Sequence, residues 1–237
     1  MLIHAGADRS VSVDLRLAVW LALAAGAVNA AGFRALGYFS ANMTGNVSTL
    51  SDMLALGRIG TALWFFLLVL AFVLGAFVSG LLIEAGHRRR IRGIYAFSIL
   101  LEAALLVVLA LMDLYWSVAF AGHVMLIGLS ALMGLQNAAT TRISDGRVRT
   151  SHVSGIATDI GLELAALASP GAAPHDTRRL VAARLGLHLA TLLAFFGGGL
   201  AGVWGYELTG PVVFLAVALL LFALAVPQLR RSFAPEG

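Results

Sequence analysis

Six apolar stretches, each of about 20 residues, dominate this chain of 237 residues. They cover residues 15–35, 61–83, 94–112, 118–139, 180–204 and 211–226. A stretch of this kind crosses the hydrocarbon core as a helix, because lipid offers no hydrogen-bond partner to an exposed backbone. Only 12% of the residues are charged and the mean hydropathy is +0.92. The sequence therefore predicts one all-α membrane domain over residues 1–237 with six transmembrane helices.

The positions of the arginines predict the orientation. All 16 basic residues are arginine, and the loop at 87–92 is the densest cluster. Positively charged loops stay in the cytoplasm. If this loop is cytoplasmic, both termini are cytoplasmic too, and only Arg34 and Arg58 lie outside. We therefore expect a multi-pass protein of a bacterial inner membrane with both termini in the cytoplasm.

An internal repeat divides the chain into two halves. Residues 26–34 and 134–142 both read G-x-x-N-A-A-x-x-R, and after a two-residue shift N-M-T-G at 42–45 matches H-V-S-G at 152–155. The copies, about 15–112 and 118–226, hold three spans each. An odd number of spans makes the second copy enter the membrane from the opposite side. The sequence thus predicts two inverted three-helix repeats, a plan common in secondary transporters.

A short helix follows the motif in each half. The segments 45–57 and 155–168 are too short to cross a bilayer, and their length suits re-entrant or interfacial helices. Thr44 and Ser154 occupy the predicted N-cap positions, where a hydroxyl would accept from a free backbone N–H. Helix N-termini attract anions. If the two helices are re-entrant, the motifs form one composite site; if they are interfacial, the motifs lie on opposite membrane faces.

Three stretches carry a resemblance to a known family. "FSANMTGN", "MGLQNAATTR" and "RTSHVSGIATDIG" resemble the paired signatures of the YoaK-type family of uncharacterised bacterial membrane proteins, a domain-of-unknown-function family. The likeness extends over about residues 15–227. Ser154 stands where threonine is expected and keeps the hydroxyl. The resemblance implies a multi-span inner-membrane protein and supplies no substrate.

The polar residues of the two motifs are the candidates for contact with a solute. They are Asn29, Arg34, Asn42, Thr44, Asn46, Gln136, Asn137, Arg142, His152 and Ser154. The alternative for the amides at 29, 136 and 137 is a hydrogen bond between helices, and for the two arginines it is snorkelling to the interface. Glu102 and His188, inside spans three and five, are candidates for proton coupling. A hydrogen bond to a neighbouring helix is the alternative for Glu102.

The function predicted from these features is a permease or channel for a small solute, with an anion as the favoured class. The alternative is a non-transporting membrane sensor or assembly factor. A Ser154 nucleophile with His152 or His188 as base would suit a hydrolase. No G-x-S-x-G, H-E-x-x-H or Walker motif is present, however, and Thr44 lacks a neighbouring histidine. We expect a non-enzyme without cofactor or metal. Its expected partners are the lipid bilayer and a small-molecule solute, and no nucleic acid. The sequence leaves open whether the chain forms an oligomer.

Overall fold

The computed structural model describes residues 11–91, 93–116, 118–169 and 175–233. These ranges form eight helices and contain no strand. The helices are α1 (Val11–Leu36), α2 (Met43–Ala55), α3 (Ile59–Arg88), α4 (Ile94–Tyr115), α5 (Val118–Ile143), α6 (Val153–Ala168), α7 (His175–Thr209) and α8 (Val212–Phe233). All except α2 and α6 are long and apolar enough to cross a membrane, which confirms six candidate spans in the described ranges.

The last helix is longer than the sequence predicts. Hydropathy ends the sixth span at 226, whereas α8 continues through Pro227 to Phe233. The apolar pattern stops there because the final turns carry Gln228, Arg230 and Arg231, yet polar residues remain helical outside the hydrocarbon core. Arg9 and Arg92, which the orientation argument counts as cytoplasmic, lie outside the described residues.

The spans form a buried centre and a lipid-facing periphery. α1, α4 and α5 are the most buried spans, and α3, α7 and α8 are the most exposed. Among the pairs in contact, α1 packs on α7, α5 on α3, and α4 on both α5 and α8. The short helices pack on the spans that follow them, α2 on α3 and α6 on α7. Exposed side chains such as Leu193 and Phe196 on α7 face lipid at no cost, because lipid tails are equally apolar.

Five glycines allow the peripheral spans to touch the central ones backbone to backbone. A Cβ at each would overlap a carbonyl oxygen of the facing helix. The pairs are Gly26 with Phe195, Gly198 with Leu23, Gly202 with Ala27, Gly75 with Ala131 and Gly134 with Phe72. Small residues permit this approach in membranes, where close packing replaces the hydrophobic effect as the source of association. These contacts fix the crossings of α1 with α7 and of α5 with α3, which together position the two motifs.

Candidate functional site

The segment after each motif helix turns back into the bundle. In the first half the backbone N–H of Ala41 donates to Asn29 Oδ1 at 2.9 Å. Asn29 lies about two helical turns before the end of α1. Ala41, which contacts it, therefore lies roughly 10 Å back along α1 from that end, inside the bundle. In the second half Asn137 Nδ2 donates to Ser151 Oγ at 2.6 Å, again almost two turns before the end of α5. Both short helices therefore start at depth within the bundle.

The residues that cap the short helices differ from the predicted ones. The N-cap of α2 is Asn42, whose Oδ1 accepts from the backbone N–H of Gly45 at 3.1 Å. The N-cap of α6 is His152, whose ring lies over Gly155. The prediction of Thr44 and Ser154 as caps was therefore wrong. Each lies in the first turn, two positions after the cap. Asn42 Oδ1 accepts from a backbone N–H of that turn, whereas the His152 side chain makes no capping hydrogen bond.

A cavity of about 910 Å³ lies between the two motifs. Six of the ten predicted contact residues line it: Asn29, Asn42, Thr44, Asn137, His152 and Ser154. The first turns of α2 and α6 also contribute Met43, Gly45 and Val153. The two motifs, about 110 residues apart in the chain, thus contribute to one cavity.

Sequence reasoning missed several lining residues, of which Arg149 is the most informative. It is the only arginine among the described lining residues, and none of those residues is Asp or Glu. Its guanidinium has no ion pair or hydrogen bond within the described ranges. Phe39, Phe72 and Phe195 supply apolar wall. The signal that could have found Arg149 was its place three residues before His152, at the position aligned with Phe39 of the first motif.

The two arginines of the repeat motif do not line the cavity. Arg34 pairs with Glu207, and Arg142 Nη2 pairs with Glu84 Oε2 at 2.9 Å. All four side chains are about half exposed. Each pair joins the end of a motif helix to the end of a span from the other half, so the guanidinium charge is already matched.

We expect Arg142→Gln to leave anion binding by the purified protein within about twofold and to change the free energy of unfolding by less than about 1 kcal/mol, because exposed ion pairs contribute little. A binding titration and thermal unfolding in detergent measure the two quantities. Glu84→Gln removes the same pair from its other side and is the matched control. A tenfold loss of binding in Arg142→Gln alone would place this arginine in the anion site.

The remaining amides are buried in the bundle and do not line the cavity. Gln136 Nε2 donates to the carbonyl oxygen of Leu21 at 2.7 Å, which ties α5 to α1. Asn46 is buried on α2, and its Nδ2 has no partner within the described ranges. Gln136 thus makes an interhelical hydrogen bond of the kind weighed as its alternative.

The two proton-coupling candidates occupy different surroundings. Glu102 is fully buried on α4, and neither carboxylate oxygen has a hydrogen-bond partner in the described part of the chain. His188 Nδ1 lies 3.0 Å from Glu163 Oε2, and both side chains are largely buried. Glu163 therefore pairs with a histidine.

His188 borders a second cavity of about 180 Å³. Its lining residues are Gly146, Arg147, Arg149, His152, Ile156, Asp159, His188 and Thr191. Arg149 and His152 line both cavities. Within the described residues no group of three or more His, Cys, Asp or Glu side chains is arranged to hold a metal ion.

Comparison with known proteins yields one family match. The family model described as "Protein of unknown function (DUF1275)" matches residues 17–226, which is most of the chain. No curated protein and no solved structure matches.

Proposed function

We propose that this chain, which belongs to the DUF1275 family of proteins of unknown function, is a permease or channel for a small anion. The observation that carries the proposal is the cavity of about 910 Å³ between the two motifs, with Arg149 on its wall. Ligand pockets commonly measure about 300–1,000 Å³. The cavity is thus large enough for a small solute with part of its water shell.

The arrangement of helix pairs supports two inverted repeats as the basis of this site. If α1 to α4 are exchanged with α5 to α8 in order, every contacting pair maps onto a contacting pair, either itself or another. The pair α1 with α7 maps onto α5 with α3, and α2 with α3 maps onto α6 with α7. A pseudo-two-fold axis accounts for this correspondence.

Individual contacts support the same exchange. Arg34 with Glu207 corresponds to Arg142 with Glu84, since the motif helices are offset by 108 residues and the following spans by 123. Four of the five glycine contacts obey the same two offsets: Gly26 with Phe195 corresponds to Gly134 with Phe72, and Gly198 with Leu23 corresponds to Gly75 with Ala131. Transporters built from inverted repeats bind substrate where the repeats meet, and residues of both motifs line this cavity.

The chemistry of the wall favours an anion. Arg149 offers guanidinium N–H groups that are free of a protein partner in the described ranges. Thr44 and Ser154 add hydroxyls, and the first turns of α2 and α6 add positive helix ends. A cation would meet no carboxylate among the described lining residues. Because the hydroxyl occurs in both halves and the histidine in only one, solute binding explains the pair better than nucleophilic catalysis.

The proposed setting is a bacterial inner membrane with both termini in the cytoplasm. We expect a cysteine introduced by Arg89→Cys, at the exposed end of α3, to react with a membrane-impermeant maleimide only from the cytoplasmic side. A cysteine introduced by Leu56→Cys, 59% exposed after α2, should react only from the opposite side. The absence of native cysteine makes this test clean. Labelling of the first variant from outside alone would reverse the proposed orientation.

Flux through proteoliposomes tests the function. Purified protein is reconstituted, and efflux of chloride, nitrate, formate and inorganic phosphate is compared with that of sodium and glycerol. The proposal expects protein-dependent flux of at least one anion above that of sodium and glycerol. Protein-dependent flux of sodium or glycerol alone would overturn the anion assignment. Anion binding without flux of any solute would favour the sensor or assembly factor.

A further inference from the structure

We propose that the second cavity is a proton-binding site, centred on His188, that is occupied together with the anion in the first cavity. This inference rests on the proposed anion site and adds to it a coupling ion. The proton is taken from the aqueous phase onto the free Nε2 of the His188 imidazole, which becomes an imidazolium, and no other bond changes.

The first step of the argument is that the two cavities share walls. Arg149 and His152 line both, so these two residues separate an anion in the first cavity from a charge on His188 in the second. The second cavity is only about 180 Å³. Arg149 and His188 both line this small space, so a charge on His188 lies close to the guanidinium proposed to hold the anion.

The geometry of His188 suits a proton acceptor. Its Nδ1 faces Glu163 Oε2 at 3.0 Å, so a hydrogen on Nδ1 donates to the carboxylate and leaves Nε2 as the basic nitrogen. Glu163 also stabilises the imidazolium once it forms. The pair connects α7 to α6, whose first turn supplies Ser154 to the anion cavity.

Glu163 is the carboxylate that faces the added charge on His188, and the other charged groups on the cavity wall are Arg147, Arg149 and Asp159. Arg147 is matched by Asp14 at 3.0 Å. Arg149 and Asp159 line the cavity, and neither has an ion pair in the described ranges. No described residue of α1 or α8 lines it. One anion beside Arg149 and one proton on His188 thus enter together with no net change of charge.

The matching positions of the first half argue that these groups serve more than packing. Each position is occupied there by a side chain that stays neutral at physiological pH: Phe39 for Arg149, Asn42 for His152, Thr49 for Asp159, Met53 for Glu163 and Phe65 for His188. Phe39 stacks on Phe33, and Phe65 packs edge-on against Tyr38. The second cavity therefore carries ionisable side chains at positions where the first half has neutral ones.

Nitrate is the probe, because it keeps its charge throughout the pH range in which histidine titrates. Calorimetric titration of the purified protein should give nitrate affinity about five- to tenfold higher near pH 5.5 than near pH 8, a coupling of ordinary size between neighbouring sites. Repeating the titration in buffers of different ionisation enthalpy should reveal proton uptake on binding near neutral pH. His188→Gln should bind nitrate with an affinity that no longer depends on pH.

Three further measurements distinguish the explanations. Glu163→Gln keeps the histidine but removes the carboxylate that faces its Nδ1, so the difference in nitrate affinity between about pH 5.5 and pH 8 should shrink. This variant also serves if His188→Gln fails to fold. His123 packs against Trp64 and lines neither cavity. His123→Gln should therefore bind nitrate with the same pH dependence as the wild type. Loss of the pH dependence in His152→Asn with retention in His188→Gln would overturn the assignment to His188.

Two wild-type outcomes are also decisive. Nitrate binding of equal affinity at both pH values would overturn the coupling and leave the anion site standing. No nitrate binding at either pH would overturn the coupling together with a nitrate-accepting anion site.

Discussion

Replacement of Arg149 by glutamine is expected to weaken anion binding by about tenfold to a hundredfold, since a hydrogen bond to a charged group contributes about 1.5–3 kcal/mol and each 1.4 kcal/mol is about tenfold in affinity. Glutamine keeps donor capacity and much of the side-chain length but loses the charge. Because the guanidinium has no protein partner in the described ranges, its loss should cost little stability. The measurements are a nitrate titration and anion efflux from proteoliposomes.

Arg58→Gln is the matched control for this experiment. It removes the same charge from an exposed position between α2 and α3, away from both cavities. Its binding and flux should equal those of the wild type. Equal losses in the two variants would indicate that net charge, rather than a guanidinium on the cavity wall, governs anion entry. Unchanged binding in Arg149→Gln would remove this residue from the site.

The second large effect concerns the crossing of α1 with α7. Gly198→Ala should lower the free energy of unfolding by about 1–3 kcal/mol, the usual cost of overpacking. The new methyl group would overlap the carbonyl oxygen of Leu23, which is backbone and moves only if the helices separate. Thermal unfolding in detergent, followed by tryptophan fluorescence and by the monodisperse fraction in size-exclusion chromatography, measures the loss.

The neighbouring glycine supplies the control. A Cβ at Gly197 would meet nothing within 4 Å, so Gly197→Ala should be neutral or gain up to about 1 kcal/mol from helix propensity. In the other half, Gly75→Ala and Gly80→Ala should reproduce this contrast, because a Cβ at Gly75 overlaps Ala131 and one at Gly80 is free. Equal effects of Gly197→Ala and Gly198→Ala would mean that the crossing is looser than described.

Much of the fold follows from local sequence. Lipid requires each backbone hydrogen bond to be made within its own helix, so a run of apolar residues predicts a span without knowledge of its neighbours. All six predicted spans correspond to long apolar helices, and both short helices begin within about two residues of their predicted starts. The repeated motif also singled out six residues that line one cavity.

The partners of the charged residues were decided by tertiary structure. Arg34 and Arg142 looked like anion ligands because the motif repeats them, yet each meets a glutamate on a helix far away in the chain. Arg149 carried no repeated signal, and the return of its segment into the bundle brings it to the cavity wall. Helix formation depends on contacts four residues apart, which a sequence displays directly. Ion pairs and cavities depend on how separate helices cross, which in this chain the glycine contacts decide, so only the assembled bundle identifies the arginine on the cavity wall.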